Sequence, residues 1–94
     1  MGRPIHKLTD IGVKGKKDPG MYADGGNLYL RVAPGGSKGW IFRFALNGKT
    51  RDAGLGSYPA ITLAKGREEA ERCRQLVAGG VDPLAARNEE RQAE

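Results

Sequence analysis

Apolar side chains recur at every second position in three consecutive stretches of this chain: Leu28, Leu30 and Val32; Trp40, Phe42, Phe44 and Leu46; and Ala53 and Leu55. A period of two is that of a half-buried strand, one face on a core and the other in water. The opposite face then carries Tyr29, Arg31, Ile41, Arg43, Ala45, Thr50 and Asp52. The joins agree with this pattern. Pro34-Gly35-Gly36-Ser37-Lys38-Gly39 is rich in residues that accept turn dihedrals, and Asn47-Gly48 is the strongest short hairpin signal a single sequence offers. A meander of three antiparallel strands is predicted within residues 28 to 56.

Three short strands cannot bury an apolar face by themselves. The segment after Tyr58-Pro59 is the one with enough apolar residues to cover it. Thr62 is a good N-cap for a helix from about Leu63 to Ala78. On that helix Leu63, Gly66, Ala70, Cys73 and Val77 form one stripe at three- and four-residue spacing, flanked by Arg67 and Arg74. Gly66 is a poor helix former, which makes sense if the backbone approaches a bulky group such as Trp40 closely. Gly79-Gly80 and Asp82-Pro83 end the helix. Near the N-terminus, residues 8–14 read as one or two helical turns capped by Thr9, with Leu8, Ile11 and Val13 tucked against the sheet. Met21-Tyr22-Ala23 is open between a short edge strand and a clamp on the core. The predicted fold class is α+β: a three-stranded antiparallel β-sheet packed against one C-terminal α-helix, with a short N-terminal helical turn. Residues 1–7 are expected to be a flexible start, 8–83 the domain, and 84–94 a polar linker that buries nothing by itself and leads towards a further region.

At 94 residues there is room for one small domain and little room for an enzyme cleft. Cys73 is the single cysteine, so an internal disulfide and a cysteine-based zinc site are excluded, and a reducing cytoplasm suits it. Cys73 itself reads as a small buried apolar group. No secretory signal and no apolar run of bilayer-spanning length is visible, so a soluble, cytoplasmic protein is expected. His6 has no second ligand-type residue near it, and an exposed histidine is the expectation. Phosphate loops of Walker or dinucleotide spacing do not occur, and the four Asp residues of the first 61 positions are scattered over turns and strands. No catalytic residue, metal site, cofactor or small-molecule substrate is predicted.

Charge adds direction to the picture. The net charge is +5, yet residues 1–61 hold ten Lys or Arg against four Asp, while residues 62–94 hold six against seven acids. The positive field belongs to the N-terminal arm and the sheet, which points to a polyanionic partner or to a solubility device. Lys14, Lys16 and Lys17 suit phosphate tracking on a Gly-interrupted segment, or simply a solvated loop. The polar sheet face carries Tyr29, Arg31, Arg43 and Thr50, with Lys38, Lys49 and Arg51 in or beside the hairpin turns. A narrow β-ribbon fits a DNA major groove, where Arg pairs with guanine and lysines suit phosphates. The same residues also serve as cross-strand pairs on an inert surface, or as a protein contact.

Taken in order, Leu8-Thr9-Asp10 with Val13-Lys14, Asp24-Gly25-Gly26, Leu28-Tyr29-Leu30-Arg31-Val32, Gly36-Ser37-Lys38 with Trp40, Phe42-Arg43-Phe44, Asn47-Gly48-Lys49, Leu55-Gly56-Ser57-Tyr58-Pro59, Leu63-Ala64 and Asp82-Pro83 form a specific series. The series resembles the N-terminal arm-site DNA-binding domain of tyrosine recombinases, the integrases of temperate phages and genomic islands. The resemblance implies a three-stranded sheet backed by a helix, the sheet entering the major groove of double-stranded arm-type sites in support of DNA integration and recombination. It implies that the catalytic machinery belongs to other domains of such enzymes. Tyr22, Tyr29 and Tyr58 match positions of the module and not the nucleophile. Asn27 stands where the family commonly has Gly, Gly66 where it often has Ala, and Ala53 is smaller than the usual occupant. Asp52, beside the expected reading face, would repel phosphate. The rival expectation is a protein-interaction module that docks other recombinase protomers or domains, or an accessory factor.

Overall fold

In the computed structural model, which describes residues 7–86, the order is α1 (Asp10–Gly15), β1 (Gly20–Gly25), β2 (Leu28–Val32), β3 (Lys38–Leu46), β4 (Lys49–Tyr58) and α2 (Leu63–Ala78). His6 and residues 87–94 lie outside the described residues. The four strands form one antiparallel sheet in sequence order. The expected sheet of three is thus corrected to four, because Gly20–Gly25 pairs along β2 from Gly20↔Val32 to Gly25↔Leu28. Backbone hydrogen bonding builds this edge strand with little apolar content, so an alternation pattern carries only a faint trace of it.

Two tight hairpins set the register. Gly26 and Asn27 have φ of 60° and 69°, and Asn47 and Gly48 have 54° and 77°. Two successive positive φ values give the turn whose twist matches that of paired strands. Hence Gly25 pairs with Leu28, and Leu46 with Lys49. Both remaining irregularities are bulges. Asp24 is the extra residue between Ala23 and Gly25, and Leu55 the extra residue opposite the Trp40/Ile41 step. Asp24 shares the inner side with Tyr22, and Leu55 shares it with Ala53, each two residues along its strand; the bulge leaves each without an opposed residue on the neighbouring strand.

The core is the expected one: Leu28, Leu30, Val32, Trp40, Phe42, Phe44, Ala53 and Leu55 from the sheet meet Leu63, Ala70 and Cys73 of α2, with Val13 of α1. Thr62 caps α2 by accepting from the Lys65 amide at 3.2 Å. Gly66 lies directly under the indole. A Cβ added there would sit 3.1 Å from Trp40 Cδ2, and the ring is pinned by its Nε1 donating to the Ile61 carbonyl at 2.7 Å.

Two expectations need correction. Ile11 is 87% exposed and does not pack on the sheet; Val13, two residues on, is the buried residue of α1. The start of the tail also takes part in the core, since Pro83 is buried and Leu84 packs against the cluster. There Asp82 Oδ1 accepts from the Leu84 amide at 2.8 Å.

The segment from Leu8 to Gly15 that carries α1 is held by contacts from three elements. Asp24, 1% exposed, accepts from Arg67 Nε and Nη2 at 3.0 and 2.9 Å and from the Leu8 amide at 2.9 Å. Arg67 Nη2 also donates to the Leu8 carbonyl at 2.8 Å. Lys38 Nζ donates to the carbonyls of Val13 and Lys14, at 2.9 and 2.8 Å. The Val13 carbonyl also accepts from the Lys16 amide at 3.3 Å, and a cation on the last carbonyls of a helix suits their partial negative charge. Both helices consequently occupy the apolar side of the sheet, and the other side is left uncovered by the described residues.

Candidate nucleic-acid interface

Side chains of directly opposed residues share a face of the sheet. The registers therefore fix the uncovered face as a lattice of rows: Met21, Arg31, Gly39 and Ser57; Ala23, Tyr29, Ile41 and Gly54; Arg43 and Asp52; Ala45 and Thr50. Four of the sequence-predicted contacts, Tyr29, Arg31, Arg43 and Thr50, come together here. Arg31 is exposed, and the residue facing it on β3 is Gly39, which has no side chain to pair with it. Glycines 39, 54 and 56 leave an open depression of about 450 Å³ beside Arg31, bordered also by Ile41 and Ser57.

Arg43 is held differently. Its Nε and Nη2 donate to Asp52 Oδ1 and Oδ2 at 2.9 and 3.3 Å, and its guanidinium lies 5.1 Å from the centroid of the Tyr29 ring. The Asp52 hydrogen bond and charge raise the Arg43 pKa further, and Arg43 in turn holds the Asp52 carboxyl below the usual carboxylate range. Asp52 faces Arg43 because the hairpin closed at Asn47-Gly48 brings them opposite one another. That pairing was computable from the turn alone.

The remaining predicted contacts lie elsewhere. Lys49 and Arg51 oppose Leu46 and Phe44, so they project on the helix side of the β3–β4 hairpin, where Arg51 approaches Asp82 at 3.8 Å. Strict alternation from Ala53 signals this position for Arg51. Lys38 opposes Val32 and Tyr58, also on the helix side, with its ammonium engaged by α1 and 5.7 Å from the Tyr58 ring centroid. Lys14 and Lys17 are exposed around the end of α1, and Lys16 sits over the Tyr22 ring at 4.7 Å. The basic residues thus gather at the two ends of β3, around Lys38 and around Lys49. What sequence reasoning missed was the role of Asp24 and Arg67 in anchoring α1, and the Asp52 carboxylate as the partner of Arg43. No helix among the described residues is long and apolar enough to cross a membrane.

The model of the Arm DNA-binding domain family matches residues 8–90. The integrase of Shigella phage Sf6 is 36% identical over 74 residues, covering 79% of this chain and 19% of that protein, and the prophage integrase IntS of Escherichia coli gives the same figures. The prophage integrase IntA of Escherichia coli is 32% identical over 96 residues, covering 96% of this chain and 23% of its own length. The chain therefore spans about a fifth of the length of these relatives.

Proposed function

The chain belongs to the Arm DNA-binding domain family, and from that premise we propose that it binds duplex DNA as a module of a phage-type integrase, laying its open sheet face in the major groove of arm-type sites. The observation that carries this reading is the division of the sheet: both helices cover one side, while Tyr29, Arg31, Arg43 and Thr50 converge on the side that the described residues leave bare. Between the axes of β2 and β4 there are two strand spacings, about 10 Å, and the major groove is about 12 Å wide. Arg31 and Arg43 supply forked donors for base edges, with Thr50 and Tyr29 beside them.

Phosphate contacts supply most of the affinity and come from the basic groups at the two ends of β3: Lys14, Lys16 and Lys17 at one, Lys49 and Arg51 at the other. These ends are roughly 25 Å apart at about 3.3 Å per residue, so their long side chains would flank a groove about 12 Å wide from outside it. Lys38 supports this set by holding the end of α1 rather than by reaching a phosphate itself. In the whole protein the module supports site-specific integration by holding arm-type DNA while other domains perform the chemistry.

Titration of the chain onto arm-type and scrambled duplexes at several salt concentrations tests the reading. Binding should favour the arm-type duplexes, and log affinity should fall linearly with log salt. Arg31→Ala should lower the preference for the native duplex. Absence of binding to any duplex at low salt would refute it and favour docking to other recombinase protomers or an accessory factor.

A further inference from the structure

We propose that Arg43, Asp52 and Tyr29 form one guanine-reading station, in which Asp52 is a positioning residue that keeps Arg43 from acting as a phosphate contact. The inference rests on the DNA-binding reading above. A guanidinium has two useful edges: the side edge of Nε and Nη2, and the outer edge of Nη1 and Nη2. Asp52 occupies the side edge in bidentate fashion, at 2.9 and 3.3 Å. The outer edge is left, and it carries the paired donors that match O6 and N7 of guanine. The Tyr29 ring, 5.1 Å away, flanks the guanidinium and limits its swing.

Approach to the fork is open. The neighbouring rows of the lattice are Ile41 with Gly54 and Ala45 with Thr50, so a base edge meets three small residues and one apolar side chain of middle size around Arg43. The side chains of Arg43 and Asp52 are 43% and 45% exposed, so the pair stands at the surface and not within the core. Electrostatics then separates the two DNA targets. A phosphate brought to Arg43 would sit beside the Asp52 carboxylate, where like charges repel, whereas a guanine edge is neutral and rich in acceptors. The pairing of Arg43 with Asp52 therefore converts a general anion contact into a selective base contact, and it also lowers non-specific retention on other DNA. Arg31, facing a glycine and with no ion pair among the described residues, has no such restriction.

The test is selection of bound sequences from a randomised duplex pool by the 94-residue chain, with wild type, Arg43→Ala, Asp52→Asn and Arg31→Ala in parallel. A wild type that enriches no motif refutes the DNA-reading function itself, before the station is addressed. Given a wild-type motif, Arg43→Ala should erase the guanine preference at one position, by about 5- to 150-fold, the range of one bidentate base contact. Asp52→Asn should reduce the preference at that same position while binding random duplex more tightly, with a log–log salt slope steeper by about 0.9, one added phosphate contact. Circular dichroism and thermal melting of each variant establish that it is folded, and Asp52→Glu, which keeps the charge, should retain the shallow slope. The proposal is overturned if Arg43→Ala weakens every sequence equally, if the lost preference is for another base, or if Asp52→Asn leaves both the motif and the salt slope unchanged.

Discussion

Replacing Asp24 by alanine tests how the N-terminal arm is held to the domain. Asp24 is 1% exposed, and its carboxylate takes two hydrogen bonds from Arg67 and one from the Leu8 amide, all between 2.9 and 3.0 Å. Removing one member of a buried ion pair costs about 3–5 kcal/mol, because the other charge is left uncompensated. The Arg67 side chain is 26% exposed and recovers some hydration, so the expected loss is about 2–4 kcal/mol. A domain of this length has a total stability of about 5–14 kcal/mol. Losing this much removes a large fraction of it, and a shift of about 4–8 °C per kcal/mol puts the fall in Tm above about 8 °C. Urea denaturation followed by the fluorescence of Trp40 measures it directly. The double variant with Arg67→Ala should lose less than the sum of the single variants, with a coupling of about 1–3 kcal/mol, since no charge is then stranded. An Asp24→Ala variant within about 0.5 kcal/mol of wild type, a surface-like value, or strictly additive single effects, would refute the argument.

Further outcomes follow from the same contacts. Gly66→Ala gains about 1 kcal/mol of helix propensity but drives a Cβ to 3.1 Å from a ring that its hydrogen bond to Ile61 holds in place, so a net loss is expected in the urea midpoint. Lys38→Met should destabilise the domain by about 1–3 kcal/mol through loss of two charge-assisted hydrogen bonds to the end of α1, and leave the salt slope of DNA binding unchanged, which titration at several salt concentrations checks. Asp52 and Glu71 are both held below the usual carboxylate range in the folded protein, chiefly by hydrogen bonds from Arg43 and Arg74. Their stabilisation is full above the unfolded-state values, about 3.9 for Asp and 4.3 for Glu, and is lost as pH falls through the lower folded values. Tm measured from pH 7 downward should therefore begin to drop as the pH nears those values, and Asp52→Asn should flatten part of that drop.

Much of this architecture is written in short-range pattern. Alternation at Leu28 to Val32 and Trp40 to Leu46 gave each strand its buried face, since the pleat has a period of two. The turn chemistry of Asn47-Gly48 gave the register, which is why Arg43 meets Asp52. The Thr62 cap, the stripe from Leu63 to Val77 and the glycine at position 66 gave α2 and its contact with Trp40. On the interface, the same alternation assembled Tyr29, Arg31, Arg43 and Thr50. It also assigns Arg51 to the helix side, although nearness to the turn is the more conspicuous feature of that residue.

The chain by itself determined which face of each strand is apolar, where the chain turns, and which helix covers the sheet, because these depend on residues a few positions apart. Tertiary structure decided what long-range partners do. β1 exists through hydrogen bonds with β2 rather than through its own apolar pattern, and Asp24 on its inner side meets Arg67, 43 residues away. Lys38 reads as a surface cation until α1 folds back and presents its terminal carbonyls 24 and 25 residues earlier in the chain. A charged side chain takes its role from the groups that desolvate it or bond to it, and those groups are assembled only when the chain closes on itself.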